Sequence, residues 1–203
     1  MTGFCSVILA AGSSRRLGFN KLTLRIDSET VIRRSVRPFV DAGLGNIIVV
    51  AGPDLTSIAR ELSDMAITMV RNEDHNAGMS SSIKAAIPWI RGEEAVFFHL
   101  GDKPFVPKEL LAAMTEAYRT QGKNIILPVC RGEKGHPVLM KVAPYIEEMT
   151  GLHGDKGLRE VIEKHKEDVL FIETDESVLF DIDTADDIRS LTERGYNVEK
   201  GES

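Results

Sequence analysis

Residues 12–21 read Gly-Ser-Ser-Arg-Arg-Leu-Gly-Phe-Asn-Lys, directly after the apolar run Val7-Ile8-Leu9-Ala10-Ala11. Glycines let backbone N–H groups approach a ligand closely, and guanidinium and ammonium groups hold polyphosphate. The chemistry that suits this loop is capture of a nucleoside triphosphate. Leu9, Ala10, Ala11, Gly12, Ser14, Arg16, Gly18 and Lys21 are the candidate contacts. The spacing is not a P-loop, which needs Gly, four residues, then Gly-Lys-Ser/Thr. It also lacks the Gly-x-Gly-x-x-Gly of dinucleotide sites. A surface turn with solvated charges is the plainer alternative for so short a motif.

Two carboxylate sites could complement that loop. In Leu100-Gly101-Asp102-Lys103-Pro104, an apolar run empties into a turn, so Asp102 emerges at the carboxyl end of a strand. A carboxylate there can hold Mg²⁺, or Mn²⁺, against a triphosphate; an ordinary turn aspartate is the alternative. In residues 180–187, Phe-Asp-Ile-Asp-Thr-Ala-Asp-Asp, Asp181 and Asp183 alternate on what reads as a strand and so point to one side. Thr184 is placed to cap the next helix, with Asp186 and Asp187 in its first turn. Asp183 is the expected second metal ligand, because a second hard oxygen is needed opposite Asp102; Asp181 is the fallback.

Three further segments carry polar groups in suggestive order. Gly78-Met79-Ser80-Ser81-Ser82 opens a helix, where N–H groups and hydroxyls can bind phosphate, base edges or ribose. One serine would suffice as a cap, so three after a glycine favour a ligand contact. Gly135-His136-Pro137-Val138 and Gly154-Asp155-Lys156-Gly157 lie in and near a glycine-rich stretch, about residues 130–157, that suits a substrate loop better than a core. His136 can bond an acceptor substrate or be a satisfied structural histidine. Asp155 and Lys156 can flank the acceptor's phosphate. His75, His99, His153 and His165 have no motif context and receive no role. Trp89 and the methionines at helical spacing read as core.

The elements that must position these groups alternate between strand and helix. Strands are expected at 5–10, 46–51, 66–70, 95–100, 124–129, 138–142 and 169–173. Helices are expected at 30–42, 55–62, 80–90, 107–119, 155–164 and 184–194, with a frayed polar tail after Gly195. Buried strands alternating with helices indicate a single α/β domain spanning 1–203 with a mostly parallel sheet, whose ligands bind beyond the strands' carboxyl ends. With 203 residues, 42% of them apolar, the chain can build a substantial core. Its net charge of −6 argues against nucleic acid as the main partner, but a local basic loop is enough for a mononucleotide. Cys5 and Cys130 form neither a zinc spacing nor a disulfide framework; Cys5 reads as core, and nothing marks Cys130 as reactive. No signal peptide or membrane span is evident, so a cytoplasmic protein that meets neither membrane nor nucleic acid is expected; a monomer is the separate expectation for its assembly, which the sequence leaves open.

In this order the segments 9–21, 78–82, 101–104, 135–138, 154–157 and 181–184 resemble the molybdenum cofactor cytidylyltransferases, relatives of the guanylyltransferase that makes the guanine dinucleotide form. The likeness runs over nearly the whole chain. The first loop and the Gly-Asp-x-Pro turn are shared by many nucleotidyltransferases. Gly-Met-Ser-Ser-Ser, Gly-His-Pro-Val and Gly-Asp-Lys-Gly are narrower. Ala10-Ala11 stands where the guanylyl branch typically has Gly-Gly, and the added methyls favour a pyrimidine pocket.

The resemblance implies a Rossmann-like three-layer α/β/α sandwich, the nucleotide-diphospho-sugar transferase fold, with one antiparallel strand in a mostly parallel sheet. It implies transfer of CMP from CTP to molybdopterin cofactor with release of pyrophosphate. Arg16 and Lys21 would then neutralise the triphosphate and the developing charge. Asp102 and Asp183 would hold Mg²⁺, residues 78–82 would contact the nucleotide, and His136 with Asp155 would lie toward the pterin. A molybdenum hydroxylase or its chaperone would receive the product. The chain departs from the family pattern at Lys103, usually Gln, and at Leu17, usually Met. It departs again at Glu133-Lys134, where an arginine is usual, and at Ala185, usually proline. An ammonium at Lys103 could assist the leaving pyrophosphate or weaken metal binding. Transfer from GTP or to a different phosphate acceptor, and a non-catalytic carrier of the cofactor, are the competing readings.

Overall fold

The computed structural model describes residues 3–12, 17–90 and 92–200; Ser14 and Arg16 lie outside them. The chain opens with β1 (Phe4–Ala10), followed by the short strands β2 (Arg25–Ile26) and β3 (Glu29–Thr30) and helix α1 (Val31–Asp41). Next come β4 (Asn46–Ala51), α2 (Leu55–Glu61), β5 (Thr68–Arg71), α3 (Met79–Ile90), β6 (Ala95–Leu100) and α4 (Lys108–Gln121). Then follow β7 (Ile125–Cys130), β8 (Glu133–Lys134), β9 (Val138–Met140), α5 (Ile146–Thr150), α6 (Arg159–Lys164), β10 (Val169–Glu173), α7 (Ala185–Glu193) and β11 (Val198–Glu199).

The main sheet runs β10-β7-β9-β6-β1-β4-β5, with β8 added to β7. β9 is antiparallel to both neighbours, β8 pairs antiparallel with β7, and the remaining pairs are parallel. Side-chain alternation along β1 explains the layering. Phe4, Ile8 and Ala10 face one core with α1, α2, α4 and α7, represented by Phe39, Ile58, Leu111 and Leu191. Cys5 and Val7 face a second core with α3, α5 and α6, represented by Ile83, Met149 and Val161. The result is the expected three-layer α/β/α sandwich. No helix among the described residues is long and apolar enough to cross a membrane.

β1 is flanked in parallel by β4 and β6, reached by crossovers that leave in opposite directions. Such a reversal opens a crevice beyond the strands' carboxyl ends. The Gly101 amide donates to the Leu9 carbonyl at 2.9 Å, and the Ser35 hydroxyl of α1 donates to the Gly101 carbonyl at 2.8 Å. The turn that carries Asp102 is thereby fixed against the end of β1.

Four expectations are corrected. Residues 180–183 are not a strand: the Ile182 amide donates to the Asp102 carbonyl at 3.2 Å rather than to a sheet partner. The helix expected from 155 begins at Arg159, because Gly154 and Gly157 adopt φ +68° and +54°, which a right-handed helix excludes. The tail after Gly195 is not wholly frayed: β11 pairs with β2, and Asp27 and Asn197 exchange hydrogen bonds of 2.8 and 2.9 Å. Trp89 is 52% exposed, because the buried stripe of α3 runs through Ile83, Ala86, Ile87 and Ile90 and passes it by.

The fully buried His99 and the half-buried His136, which lines a cavity, have ring centroids 6.3 Å apart. His99 Nε2–H donates to the Lys103 carbonyl at 3.0 Å, because a carbonyl can only accept. Burial, together with His136, lowers His99 to about 3; burial, together with Lys103, lowers His136 to about 4. Between these values and the ordinary 6.5 the unfolded chain binds more protons than the folded one. Stability is therefore full above pH 6.5 and falls as the pH drops toward 4 and then 3. Urea unfolding at pH 5 is expected to give a stability lower than at pH 7.5 by on the order of 2 kcal/mol or more. Equal stabilities would show that these rings are not neutral in the folded protein.

Candidate active site

The site is built where the ends of β1 and β6 meet a short 3-10 turn, Lys21–Thr23. Asn20 caps that turn, its side-chain oxygen accepting from the Leu22 amide at 2.9 Å. The cap turns Lys21 inward. Its ammonium, buried, lies 2.5 Å from Asp102 Oδ2 and also bonds Asp183 Oδ1. Burial alone would lower the basicity of Lys21, but the charges and hydrogen bonds of Asp102 and Asp183 outweigh it and hold Lys21 above its ordinary value. A buried cation needs this pairing, since an unpaired charge is strongly destabilising.

Asp183 is held by the start of α7. The Thr184 side chain and the Asp187 carboxylate form a reciprocal capping box, and Asp187 also accepts from the Asp183 amide at 2.9 Å. Asp187 is thus a capping group, as its position in the helix's first turn suggested. The other oxygen of Asp102, Oδ1, is buried and has no hydrogen-bond partner among the described residues. Two carboxylates converging on one cation, with a buried oxygen still open, are a donor set suited to a hard divalent ion.

A cavity of about 370 Å³ adjoins this cluster. Of the candidate residues, Leu9, Ala10, Ala11, Gly12, Lys21, Gly78, Met79, Ser82, Asp102 and Asp155 line it. A second cavity, of about 330 Å³, is lined by His136, Asp155 and Lys156 among others. Leu9, Met79, Leu100 and Asp155 belong to both walls, so the two spaces adjoin. The second is apolar on Ile83, Phe98, Leu127, Val138, Leu158 and Ile162, and basic at Lys134, Lys156 and Arg159.

The serine segment is arranged differently from expectation. The Met79 amide donates to Asp155 Oδ1 at 3.2 Å and the Ser80 amide to the Gly154 carbonyl at 3.0 Å, so these helix-start donors are already engaged by residues 154–155. Ser80 and Ser81 are buried and do not line either cavity. Asn72 donates to the Ser81 and Ser82 hydroxyls at 2.8 and 3.0 Å. Gly18, with φ +71°, is exposed and also lies off both linings. Asn72, His75 and Asn76 had no recognised motif in the sequence. Only the proximity of Asn72 to the serine run, nine residues on, could have flagged any of them.

Two close approaches need glycine. A Cβ on Gly135 would lie 2.5 Å from the Val178 side chain. A Cβ on Gly78, where φ is +89°, would lie 2.6 Å from the Gly154 carbonyl. Gly78→Ala therefore combines a disfavoured backbone with a backbone clash, and is expected to lower unfolding free energy by about 1–3 kcal/mol. Urea titration checks this; an unchanged midpoint would mean that residues 78 and 154 are not packed together.

Comparison with known proteins places the chain in a family. Residues 6–169 match the MobA-like NTP transferase domain. The chain is 27% identical over 195 residues to the molybdenum cofactor cytidylyltransferase of Escherichia coli (strain K12), covering 96% of this chain and 98% of that one. It is 26% identical over 191 residues to a probable molybdenum cofactor guanylyltransferase of Natranaerobius thermophilus, covering 90% and 92%. Rv0371c from Mycobacterium tuberculosis H37Rv, solved as a complex with manganese, superposes with a TM-score of 0.81 at 25% identity over 95% of this chain and 99% of that one. The match over most of its length shows that the chain belongs to the MobA-like NTP transferase domain family.

Proposed function

We propose that this chain transfers CMP from CTP to the phosphate monoester of molybdopterin cofactor, releasing pyrophosphate. The observation that carries the reading is the pair of adjoining cavities, one lined by Lys21 and Asp102, with Asp183 off the lining but bonded to that lysine, and the other apolar with a basic rim. Two spaces that share a wall suit two substrates that must meet end to end. Ala10 and Ala11 line the first cavity; the Ala10 side chain packs into the core with Phe4 and Ile8, which leaves Ala11 as the methyl proposed to narrow the space for a base. The full-length likeness to a cytidylyltransferase supports the same base. In the second cavity, apolar side chains suit the faces of a flat ring system, and Lys134, Lys156 and Arg159 suit its phosphate. A molybdenum hydroxylase, or its chaperone, is the proposed recipient of the product.

In this reading an oxygen of the acceptor phosphate attacks the α-phosphorus of CTP, the bond to the bridging oxygen of the β-phosphate breaks, and pyrophosphate departs. Such transfer rests on positioning and charge stabilisation. Lys21 supplies a fixed positive charge, and Arg16, by its place in the loop, supplies another. Asp102 and Asp183 would hold Mg²⁺ or Mn²⁺, which when bound neutralises triphosphate charge and polarises the phosphoryl group. His136, neutral at physiological pH, adds a polar contact to the acceptor space without adding charge. No side-chain nucleophile is required. Burial, with Glu93 adding, pushes the Cys5 thiol up to about 12, and Cys130 is buried.

Pyrophosphate release measured with Mg²⁺, purified molybdopterin cofactor, and either CTP or GTP tests the reading. Release is expected with CTP and only when the pterin is present. Release with GTP alone would reassign the base, and nucleotide binding without release would favour a carrier or another acceptor. Asp102→Ala is expected to lower the rate by roughly 10²–10³-fold or more while the protein keeps its circular dichroism spectrum. A rate near wild type in that variant would refute the role given to Asp102.

A further inference from the structure

Lys103 occupies the third position of the Gly-Asp-Lys-Pro turn, beside Asp102, yet it lines neither cavity. It is 6% exposed. A buried ammonium is tolerated only where partners replace its water. Lys103 Nζ donates to the Leu179 carbonyl at 2.7 Å and lies 3.7 Å from Asp181 Oδ2. Both partners belong to the segment 179–183, which contains no helix or strand. The Ile182 amide, in the same segment, donates to the Asp102 carbonyl. Two tethers therefore run from the turn after β6 to this segment, one from the backbone and one from the Lys103 side chain. His99 Nε2 anchors the Lys103 backbone from below.

The segment ends at Asp183, whose carboxylate meets Lys21. Asp181 and Asp183 stand two residues apart with the same chemistry, and the two lysines divide them: Lys103 takes Asp181, and Lys21 takes Asp183. A glutamine at 103 could donate to the Leu179 carbonyl but could not pair with the Asp181 charge.

We propose that Lys103 is a positioning residue, whose buried ammonium clamps the 179–183 segment onto the end of β6 and so holds Asp183 opposite Asp102. The proposal rests on the reading of Asp102 and Asp183 as the metal-holding pair. It separates the roles of the two aspartates: Asp181 belongs to the clamp and Asp183 to the site. Lys103 then acts on metal binding through the backbone it holds, not by touching a substrate.

The test uses Mn²⁺ alone, followed by electron paramagnetic resonance, together with amide hydrogen exchange, on the wild type and on Lys103→Met, Lys103→Gln and Asp183→Asn. Lys103→Met is expected to speed exchange in residues 179–183 roughly tenfold relative to β1 and β6, and to weaken Mn²⁺ binding by about the same factor. Lys103→Gln, which restores a donor to Leu179, is expected to recover part of both losses. A purely structural loss would instead loosen β1 and β6 as much as the segment. Folded Lys103→Met with wild-type exchange and wild-type Mn²⁺ affinity would overturn the proposal. If Asp183→Asn binds Mn²⁺ like the wild type, the metal reading fails and takes the purpose of the clamp with it, whatever the exchange pattern. Should Lys103→Met not fold, the wild-type Ile182 amide decides. Protection comparable to β6 is expected, and exchange at open-loop rates would overturn the clamp.

Discussion

The buried ammonium of Lys21 is the contact on which the arrangement of the site depends. Asp102 and Asp183, which it bonds, lie 81 and 162 residues further along the chain. Asp102 comes from the end of β6 and Asp183 from the approach to α7, so one cation draws together three parts of the fold that share no local structure. In a partly dehydrated pocket none of the three charges is independent. Removing one leaves the others with an unbalanced desolvation cost, which is why a buried pair is fragile to single substitutions even where its net contribution is small. Local hydrogen bonds hold each member of the cluster in place. The Asn20 cap aims the lysine, the Gly101–Leu9 hydrogen bond sets the turn, and the Thr184–Asp187 box sets the last carboxylate.

The sheet was legible because burial on two faces leaves a strong trace. Residues 46–51, 95–100 and 169–173 appear as strands with the limits that their apolar runs suggest. The resemblance implied one antiparallel strand without saying which; β9, between β6 and β7, is antiparallel to both, and the two-residue β8 adds a second antiparallel pairing. Strands of two residues, such as β2, β3 and β11, are too short for periodicity to register. The irregular path of 180–183 departs from the strand its pattern suggests for a related reason. Alternating Phe, Asp, Ile and Asp imitates a strand, but the segment finds side-chain and turn partners in Lys103 and Asp102 instead of a ladder.

The site was legible in its chemistry more than in its packing. Glycines, a lysine and aspartates at strand ends announce a charged crevice, and most of the residues so marked line one cavity or the other. What the sequence hid was how much of this polarity is consumed internally. The serine run looked like a row of ligand contacts, yet Asn72 and residues 154–155 engage much of it. A hydroxyl satisfied by a distant asparagine looks the same, in sequence, as one awaiting a phosphate.

Asp155 links the two spaces. Its carboxylate closes the first turn of α3 through the Met79 amide while facing both cavities. The residues on either side of that hydrogen bond are thus shared walls, not private ones. Occupancy of either space bears on the same carboxylate. If one occupant shifts Asp155, the resulting change in affinity for the other is reciprocal, because linkage gives both ligands the same coupling free energy. On that condition the joint between the cavities would be a thermodynamic hinge between whatever occupies them.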